Sequence, residues 1–280
     1  MKQNLVSHKF TGKVLTYFFL ILFFFISILP IWWIWQAALI PKGPTNIDPF
    51  AFPTNPTFDN IVEAWTVGKM SSYMINSILV AVPRVAVVLF LSSLAGYAFG
   101  KLKFFGRDKV FSFILFGMMI PIQAMAIPLY YNIQRLGMIN TRWALILPYF
   151  GLSMPFDIFM MRAFFKSLPS ELMESATIDG CNEFQTFLHI MLPLTKPALL
   201  ALMVFEFMWS WNDFFLPMLM IYNDEYRTLP LGLMYFSGRY ATDQSLVAAG
   251  VMISTLPIIV VYIIFQRQFV EGLTVGAVKG

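Results

Sequence analysis

Val14–Pro41 reads VLTYFFLILFFFISILPIWWIWQAALIP and contains no charged residue. A helix needs about 20 apolar residues to cross the hydrocarbon of a membrane, so this stretch is long enough for one crossing. The preceding Lys2, Lys9 and Lys13 give it the basic start of a signal peptide. The apolar run is longer than a signal-peptide core of about 7–15 residues, and no small-residue cleavage site closes it. We therefore expect it to remain in the membrane as a first span.

The composition of the whole chain also indicates a membrane protein. Of its 280 residues, 58% are hydrophobic and 12% are charged, and the mean hydropathy is +0.70. Soluble domains carry about 25% charged residues. The single cysteine, Cys181, excludes an internal disulfide. The net charge of +4 is small and spread around the apolar runs, which argues against a nucleic-acid partner.

Charge-poor intervals predict an all-α integral membrane protein with six transmembrane helices in a single domain, residues 1–280. The expected spans are residues 14–40, 73–100, 110–132, 143–162, 198–222 and 245–266. If the N-terminus is cytoplasmic, the segments on that side carry about twice as many Lys and Arg residues as the outer ones. We therefore expect both termini in the cytoplasm, together with the polar segment 163–197.

This polar segment carries signals for a helix of its own. Ser170 is expected to cap the helix, and Glu171 is favourably placed in its first turn. Gly180 suits the left-handed position that commonly follows a helix. The sequence thus predicts a helix over 171–179.

Signals for a second helix follow directly. Asn182 and Gln185 have the spacing of a capping box. Pro193 and Pro197 are expected to end this helix and lead into the fifth span. Capping signals show only that the segment is folded, so it is either a surface linker between spans or a docking element.

Polar and aromatic residues in the fifth predicted span are candidates for lining a transport pathway: Glu206, Trp209, Asn212 and Asp213. At 100° per residue, Glu206, Trp209 and Asp213 share a helical face, whereas Asn212 projects elsewhere. These side chains suit a hydroxyl-rich ligand, because carboxylates accept hydrogen bonds from hydroxyl groups and an aromatic ring packs against an apolar face. The alternative is that both acids satisfy neighbouring helices or line a hydrated seam without contacting a ligand.

Two further charged residues fall within predicted spans. Arg84 lies roughly 25 Å along a helix from Lys101, which places it near the outer interface. We therefore expect its side chain to snorkel into the headgroup region. Asp157 precedes Arg162 near the cytoplasmic edge and is expected to be interfacial or to pair helices.

No catalytic or metal-binding pattern is present in the sequence. GYAFGKL, residues 96–102, has three residues between its glycines and Leu102 after the lysine, so it is not a phosphate-binding loop. His8 and His189 lack metal-ligand spacing. We expect a chain without catalytic activity or cofactor.

One family resemblance covers nearly the whole chain. Six residues fall at the positions of the EAA loop of ABC-importer permeases, with Ser175 in place of its second alanine: Glu174, Ala176, Gly180, Ile190, Leu192 and Pro193. Other stretches resemble the maltose/multiple-sugar class of these permeases: FPTNPTFDNIVEAW (52–65), the AGYAF to GR run (95–107), WNDFFLP (211–217), TLPLGL (228–233) and QRQFVEGLTVGAVKG (266–280).

The resemblance implies the shorter, second permease subunit of a carbohydrate importer in a bacterial-type inner membrane. Its EAA loop would be the coupling element for the ATPase, through Glu174, Ser175, Ala176, Asp179 and Gly180. Its tail would contact the ATPase dimer near the nucleotide sites, through Gly276, Ala277, Val278, Lys279 and Gly280. That dimer would bind the ATP and magnesium.

The remaining partners implied by the resemblance are a longer permease, an extracytoplasmic solute-binding protein and membrane lipid. Glycerol 3-phosphate or a polyol is an alternative cargo. A self-sufficient secondary transporter is a further alternative, but only isolated acids and no internal repeat are evident in the sequence. A membrane-embedded enzyme would need catalytic groups that the sequence does not supply.

Overall fold

The computed structural model describes residues 2–41, 52–53, 55–236 and 243–277, which are mostly helical and contain no β-strand. The expected all-α class is therefore confirmed. The α-helices of the first half are α1 (Lys2–Leu39), α2 (Asp59–Thr66), α3 (Met70–Lys101), α4 (Arg107–Phe116), α5 (Ile122–Arg135), α6 (Trp143–Leu152) and α7 (Met154–Ser167). Those of the second half are α8 (Glu171–Ile178), α9 (Glu183–Thr186), α10 (Leu192–Leu194), α11 (Lys196–Asn212), α12 (Phe215–Met220), α13 (Leu229–Gly232) and α14 (Gln244–Ala277).

Within the described ranges, three helical segments are long and apolar enough to cross a membrane: Lys13–Leu39, Met70–Lys101 and Gln244–Gln268. Three bent pairs pass the same test together. The pairs are Arg107–Met119 with Ile122–Arg135, bent by 99°; Trp143–Leu152 with Met154–Ser167, bent by 46°; and Glu183–Leu194 with Lys196–Asn212, bent by 75°. Counting each pair as one span gives six spans; of the third pair, Lys196–Asn212 lies in the expected fifth span, whereas Glu183–Leu194 belongs to the polar segment 163–197.

Prolines lie at or beside the breaks in the bent pairs. Pro121 precedes α5 with extended backbone, and Pro155 lies in the first turn of α7. The third break falls at Thr195, two residues before Pro197 in the first turn of α11. A proline has no N–H for the preceding turn, so a helix can begin at proline but does not readily continue through it.

The chain divides into two compact units, and α3 and α14 each have residues in both. The first unit comprises residues 1–70 and 233–255. In it, the Asn60 amide donates to the carbonyl oxygens of Ala38 and Ile40, at 2.9 and 2.7 Å. These bonds fix α2 to the end of α1 and satisfy carbonyls that the helix end leaves free.

The second unit comprises residues 71–232 and 256–280 and contains the principal hydrophobic clusters. One cluster surrounds α6 and α12, with Leu145, Leu216 and Met220 fully buried. Another lies where α3, α7 and α11 approach one another, around Met161 and Phe165. This second cluster supports the polar segment that follows α7.

Candidate functional site

A buried ion pair joins α3 to α11. The Arg84 guanidinium donates from Nη2 to Glu206 Oε2 at 3.0 Å, and the two side chains are 1% and 0% exposed. Ser153, next to the α6–α7 break, donates its hydroxyl to the same carboxylate oxygen at 2.9 Å. Opposite charges in the interior must meet each other, because neither can reach water.

This geometry corrects the expectation for Arg84. Its side chain does not snorkel, since Glu206 supplies an internal partner that is better placed than the interface. It also corrects the expectation that the acids are isolated. The pair joins residues 122 positions apart in sequence, a separation that no local pattern reveals.

Tyr149 extends this polar network from α6 towards the end of α11. Its ring lies under the Arg84 guanidinium, 3.5 Å from ring centroid to Cζ, which is a cation–π contact. Its hydroxyl donates to Asp213 Oδ2 at 2.6 Å. Asp213 also accepts from the backbone N–H of Leu216 at 3.4 Å. The tyrosine thus connects the ion pair to the residues that precede α12.

Asp157 is the second acid beside the ion pair. It is fully buried, and neither carboxylate oxygen has a hydrogen-bond partner in the described residues. Its charged neighbours are Glu206 and Arg84. Of the two expectations for Asp157, its burial at the start of α7 favours helix pairing over a position at the interface. One arginine therefore lies among several acidic groups.

A cleft of about 400 Å³ opens beside this cluster. Its lining residues are Arg84, Gly117, Met118, Ile120, Ile122, Met125, Tyr149, Leu152, Ser153, Trp209 and Asp213. Trp209 is 49% exposed and lies against the ring of Phe156. An aromatic ring and polar groups share one cavity, which is a surface suited to a ligand with both apolar faces and hydroxyl groups.

The four pathway candidates are placed differently in the structure. Trp209 and Asp213 line the cleft, and Glu206 is buried behind it through its bond to Arg84. Asn212 is exposed and donates to the carbonyl of Met208 on its own helix. The expected helical face does not include Asp213, because α11 ends at Asn212 and Asp213 has extended backbone.

The polar segment after α7 forms the helices that its sequence predicts, with two corrections. Gly180 has φ +84° after α8, the left-handed geometry expected of it. Asn182 and Gln185 form a complete capping box at the start of α9. Ser170, in contrast, has helical backbone and makes no side-chain cap, so its hydroxyl is not positioned to accept from the first turn.

The second correction concerns Pro193. The helical chain does not end there but passes through a π turn, Phe187–Met191, into α10 and bends at Thr195. A π turn is wider than an α turn and loosens the backbone just where a proline ring would collide with the carbonyl four residues earlier.

One face of α8 is exposed and the opposite face is buried. Ala176 is 1% exposed, whereas Ile178 is 86% exposed. Glu174, Ser175 and Asp179 are exposed on the same segment. Such an isolated, uncovered isoleucine beside a carboxylate and small hydroxyls is a surface that another protein could contact.

Interactions with α3 hold the polar segment in place. The Tyr97 hydroxyl donates to Glu183 Oε2 at 3.0 Å, and the Lys101 ammonium donates to the Leu168 carbonyl at 2.5 Å. Phe187 is buried against the rings of Tyr97 and Phe165. The segment is therefore attached to the spans near its start, at Leu168, and near its middle, at Glu183 and Phe187.

The tail is only partly described. α14 reaches Ala277, so the backbone at Gly276 and Ala277 is helical, and Val278, Lys279 and Gly280 lie outside the described residues. Within the described chain, no group of three His, Cys, Asp or Glu side chains could hold a metal ion.

Buried charges on apolar helices beside a polar cleft are typical of multi-pass membrane proteins that carry an ion or a substrate. Residues 89–274 match the family described as the binding-protein-dependent transport system inner membrane component, and the chain belongs to this family.

Individual relatives extend the match to most of the chain. It is 34% identical to the probable ABC transporter permease protein YurM of Bacillus subtilis, over 97% of this chain and 90% of that protein. It is 32% identical to the arabinooligosaccharides transport system permease protein AraQ of the same organism, with 95% of each chain covered. It is 34% identical to the trehalose transport system permease protein SugB of Mycobacterium tuberculosis, with 91% and 93% covered.

A solved structure shares the fold. It is the crystal structure of a bacterial ABC transporter involved in the import of the acidic polysaccharide alginate. The TM-score is 0.81 at 24% sequence identity, over 94% of this chain and 98% of that chain. Family and fold together confirm a multi-pass inner-membrane ABC permease, a non-catalytic subunit that works with a binding protein and a separate ATPase.

Sequence reasoning missed Tyr149 and Ser153, which hold the cluster together. Both residue types are ordinary in a span, so the sequence carries no signal for them. For Arg84 and Glu206 the sequence did carry a signal. A lone charge in an apolar helix has a high desolvation cost, and pairing with an opposite charge offsets part of that cost for both residues.

Proposed function

We propose that this chain forms half of the translocation pathway of an ATP-driven carbohydrate importer, with a longer permease as the other half. The exposed face of α8, anchored to α3 through Tyr97 and Lys101, is the observation that carries the proposal. A transporter driven by a separate ATPase needs a rigid element that moves with the spans, because coupling travels through parts with discrete positions.

In this proposal, the segment around Glu174–Gly180 docks on the ATPase from the cytoplasmic side. The left-handed backbone at Gly180 turns the chain back towards α9, so the exposed face of α8 is presented outward. Ala176 faces its own chain and supports the helix from behind. Both termini of the chain lie in the cytoplasm, as the distribution of Lys and Arg favours.

Site-directed crosslinking tests the docking surface. In a Cys181→Ser background, Ile178→Cys in the assembled importer should form a crosslink to the ATPase subunit with a short bifunctional reagent. Ala176→Cys is the matched control, because that position is buried on the same helix and should remain unreactive. Equal crosslinking from both positions, or none from Ile178→Cys in an active importer, would contradict the proposed surface.

The cleft beside Trp209 is the proposed contact of this subunit with its cargo. Trp209 would pack on a sugar ring, and Asp213 would accept from hydroxyl groups. A carbohydrate cargo is supported by relatives named for the transport of arabinooligosaccharides and trehalose. A phosphorylated cargo is disfavoured, because Arg84 is already paired with Glu206 and further carboxylates lie nearby.

Uptake of radiolabelled sugars by the reconstituted importer tests this cargo contact. Trp209→Ala should lower uptake at least several-fold, while Trp209→Phe, which keeps a ring, should retain most of it. Equal uptake by the wild type and Trp209→Ala would mean that the cleft does not contact the cargo. It would not affect the proposal that α8 docks on the ATPase.

A further inference from the structure

The turn between α3 and α4 carries an exposed cluster of aromatic and basic side chains. One candidate span ends at Lys101 and the next begins at Arg107, so we expect the five residues between them to lie at a membrane boundary. Phe105 is fully exposed at 104%, and the neighbouring Phe104 is 44% exposed. An uncovered phenylalanine at this depth has the lipid acyl chains as its nearest apolar surroundings.

The basic residues around this turn divide into two groups. Lys101 and Arg107 are engaged in holding the turn, through bonds to the carbonyls of Leu168 and Leu102. Lys103 and Lys109 are exposed, and neither has a hydrogen-bond or ion-pair partner within the described residues. Two cationic side chains are therefore available to an external anion.

The acidic residue at this turn is already neutralised. Asp108 accepts from Arg162 at 2.9 Å and from Arg107 at 3.4 Å. Its charge therefore does not cancel those of Lys103 and Lys109. The surface that remains has an excess of positive charge around an exposed aromatic ring.

A cleft of about 480 Å³ lies between these side chains, lined by residues 103–109. Gly106, with φ +77°, makes the turn that brings Lys103 and Lys109 to the same opening. We propose that this cleft binds the phosphate headgroup of an anionic phospholipid, with Lys103 and Lys109 on the phosphate and Phe105 among the acyl chains. Basic residues immediately beside a transmembrane helix attract anionic lipid in this way.

Lipid binding is measured on the assembled importer by native mass spectrometry, titrating phosphatidylglycerol or phosphatidylcholine into mild detergent. The wild type should retain phosphatidylglycerol in preference to phosphatidylcholine. The double variant Lys103→Gln/Lys109→Gln should lose roughly 25-fold in affinity for phosphatidylglycerol. Lys103→Arg/Lys109→Arg should keep it, and both lysines are exposed, so neither variant disturbs buried packing.

Further variants test whether lipid binding depends on this cleft and not on basic residues in general. Arg135→Gln removes an exposed basic residue at the other end of the same bent pair and should leave binding unchanged. Phe105→Ser should weaken lipid binding while leaving the charge intact. The proposal is overturned if the double variant binds like the wild type, if free inorganic phosphate displaces the lipid at equal concentration, or if the double variant loses the ATPase instead of lipid.

Discussion

Among single residues, Arg84 and Glu206 are expected to affect stability most when replaced, because both charges are buried away from water. Glu206→Gln should lower the free energy of unfolding by about 3 kcal/mol, since it leaves a buried guanidinium without its closest counter-charge. Thermal-shift midpoints of the purified importer, compared with the wild type, measure the loss.

Asp157→Asn is the matched comparison for this prediction. It removes a buried carboxylate that has no hydrogen-bond partner in the described chain, so it should leave stability unchanged or raise it. If Asp157→Asn proved the more damaging of the two substitutions, the assignment of Glu206 as the principal partner of Arg84 would be incorrect.

Gly180 is the residue at which backbone conformation alone decides the outcome. A side chain at this position would meet no atom within 4 Å, so the cost of replacing it is the strain of φ +84° and not a collision. Gly180→Val should cost about 1–3 kcal/mol locally and uncouple ATP hydrolysis from transport. Hydrolysis and uptake, measured together in proteoliposomes, report the coupling.

Gly180→Asn is the control, because asparagine tolerates the left-handed region. It should transport nearly as well as the wild type. Normal uptake by Gly180→Val would mean that the turn after α8 does not transmit the movement of the ATPase.

At the scale of helices, the close approach of α3 and α7 depends on a glycine. A Cβ added at Gly96 would lie 2.4 Å from Met161 Cβ and 3.0 Å from the backbone nitrogen of Arg162. Neither atom can move without moving α7. Gly96→Ala should therefore destabilise the protein by about 1–3 kcal/mol, visible as a lower thermal midpoint.

Gly151 provides the control on another helix. An added Cβ there meets nothing within 4 Å, so Gly151→Ala should gain up to about 1 kcal/mol from helix propensity. Equal effects of the two substitutions would indicate that α3 and α7 are not in tight contact.

The sequence predicts where helices occur better than how they bend. Pro121 and Pro155 predict the positions of two breaks. They do not predict the bend angles, 99° at the first break and 46° at the second, because neighbouring elements determine the angle. The capping box at Asn182 was predictable because its partners are three residues apart. Ser170 failed as a cap because its backbone had already become helical.

At the scale of the whole molecule, the prediction concerns the tail. Deleting Gly276–Gly280 should lower transport-coupled ATPase activity of the reconstituted importer at least several-fold, because the proposed contact near the nucleotide sites is lost. Replacing these five residues with a Gly/Ser sequence of equal length separates loss of contact from loss of length. An unchanged hydrolysis rate in the deletion would refute the proposed contact.

The charge-poor intervals predicted that the whole chain is a membrane protein, because every span must present a long apolar surface to the hydrocarbon. The partners of the buried charges were not. Arg84 and Glu206 belong to helices that meet only in the folded protein. From the sequence alone, the Glu206 carboxylate could line a transport pathway or pair with a neighbouring helix. Composition predicts which segments lie in the membrane, whereas tertiary packing determines which of their side chains contact each other.

The Arg84–Glu206 pair also has a consequence for biogenesis. At roughly 5–20 residues per second, a ribosome needs about 6–24 s to add the 122 residues that separate the two. During that interval the nascent second span carries an arginine whose counter-ion has not yet been synthesised. A single arginine costs about 2.5–3.5 kcal/mol at the centre of an inserted helix, so we expect the second span to bear this cost until the fifth span brings Glu206 into the membrane.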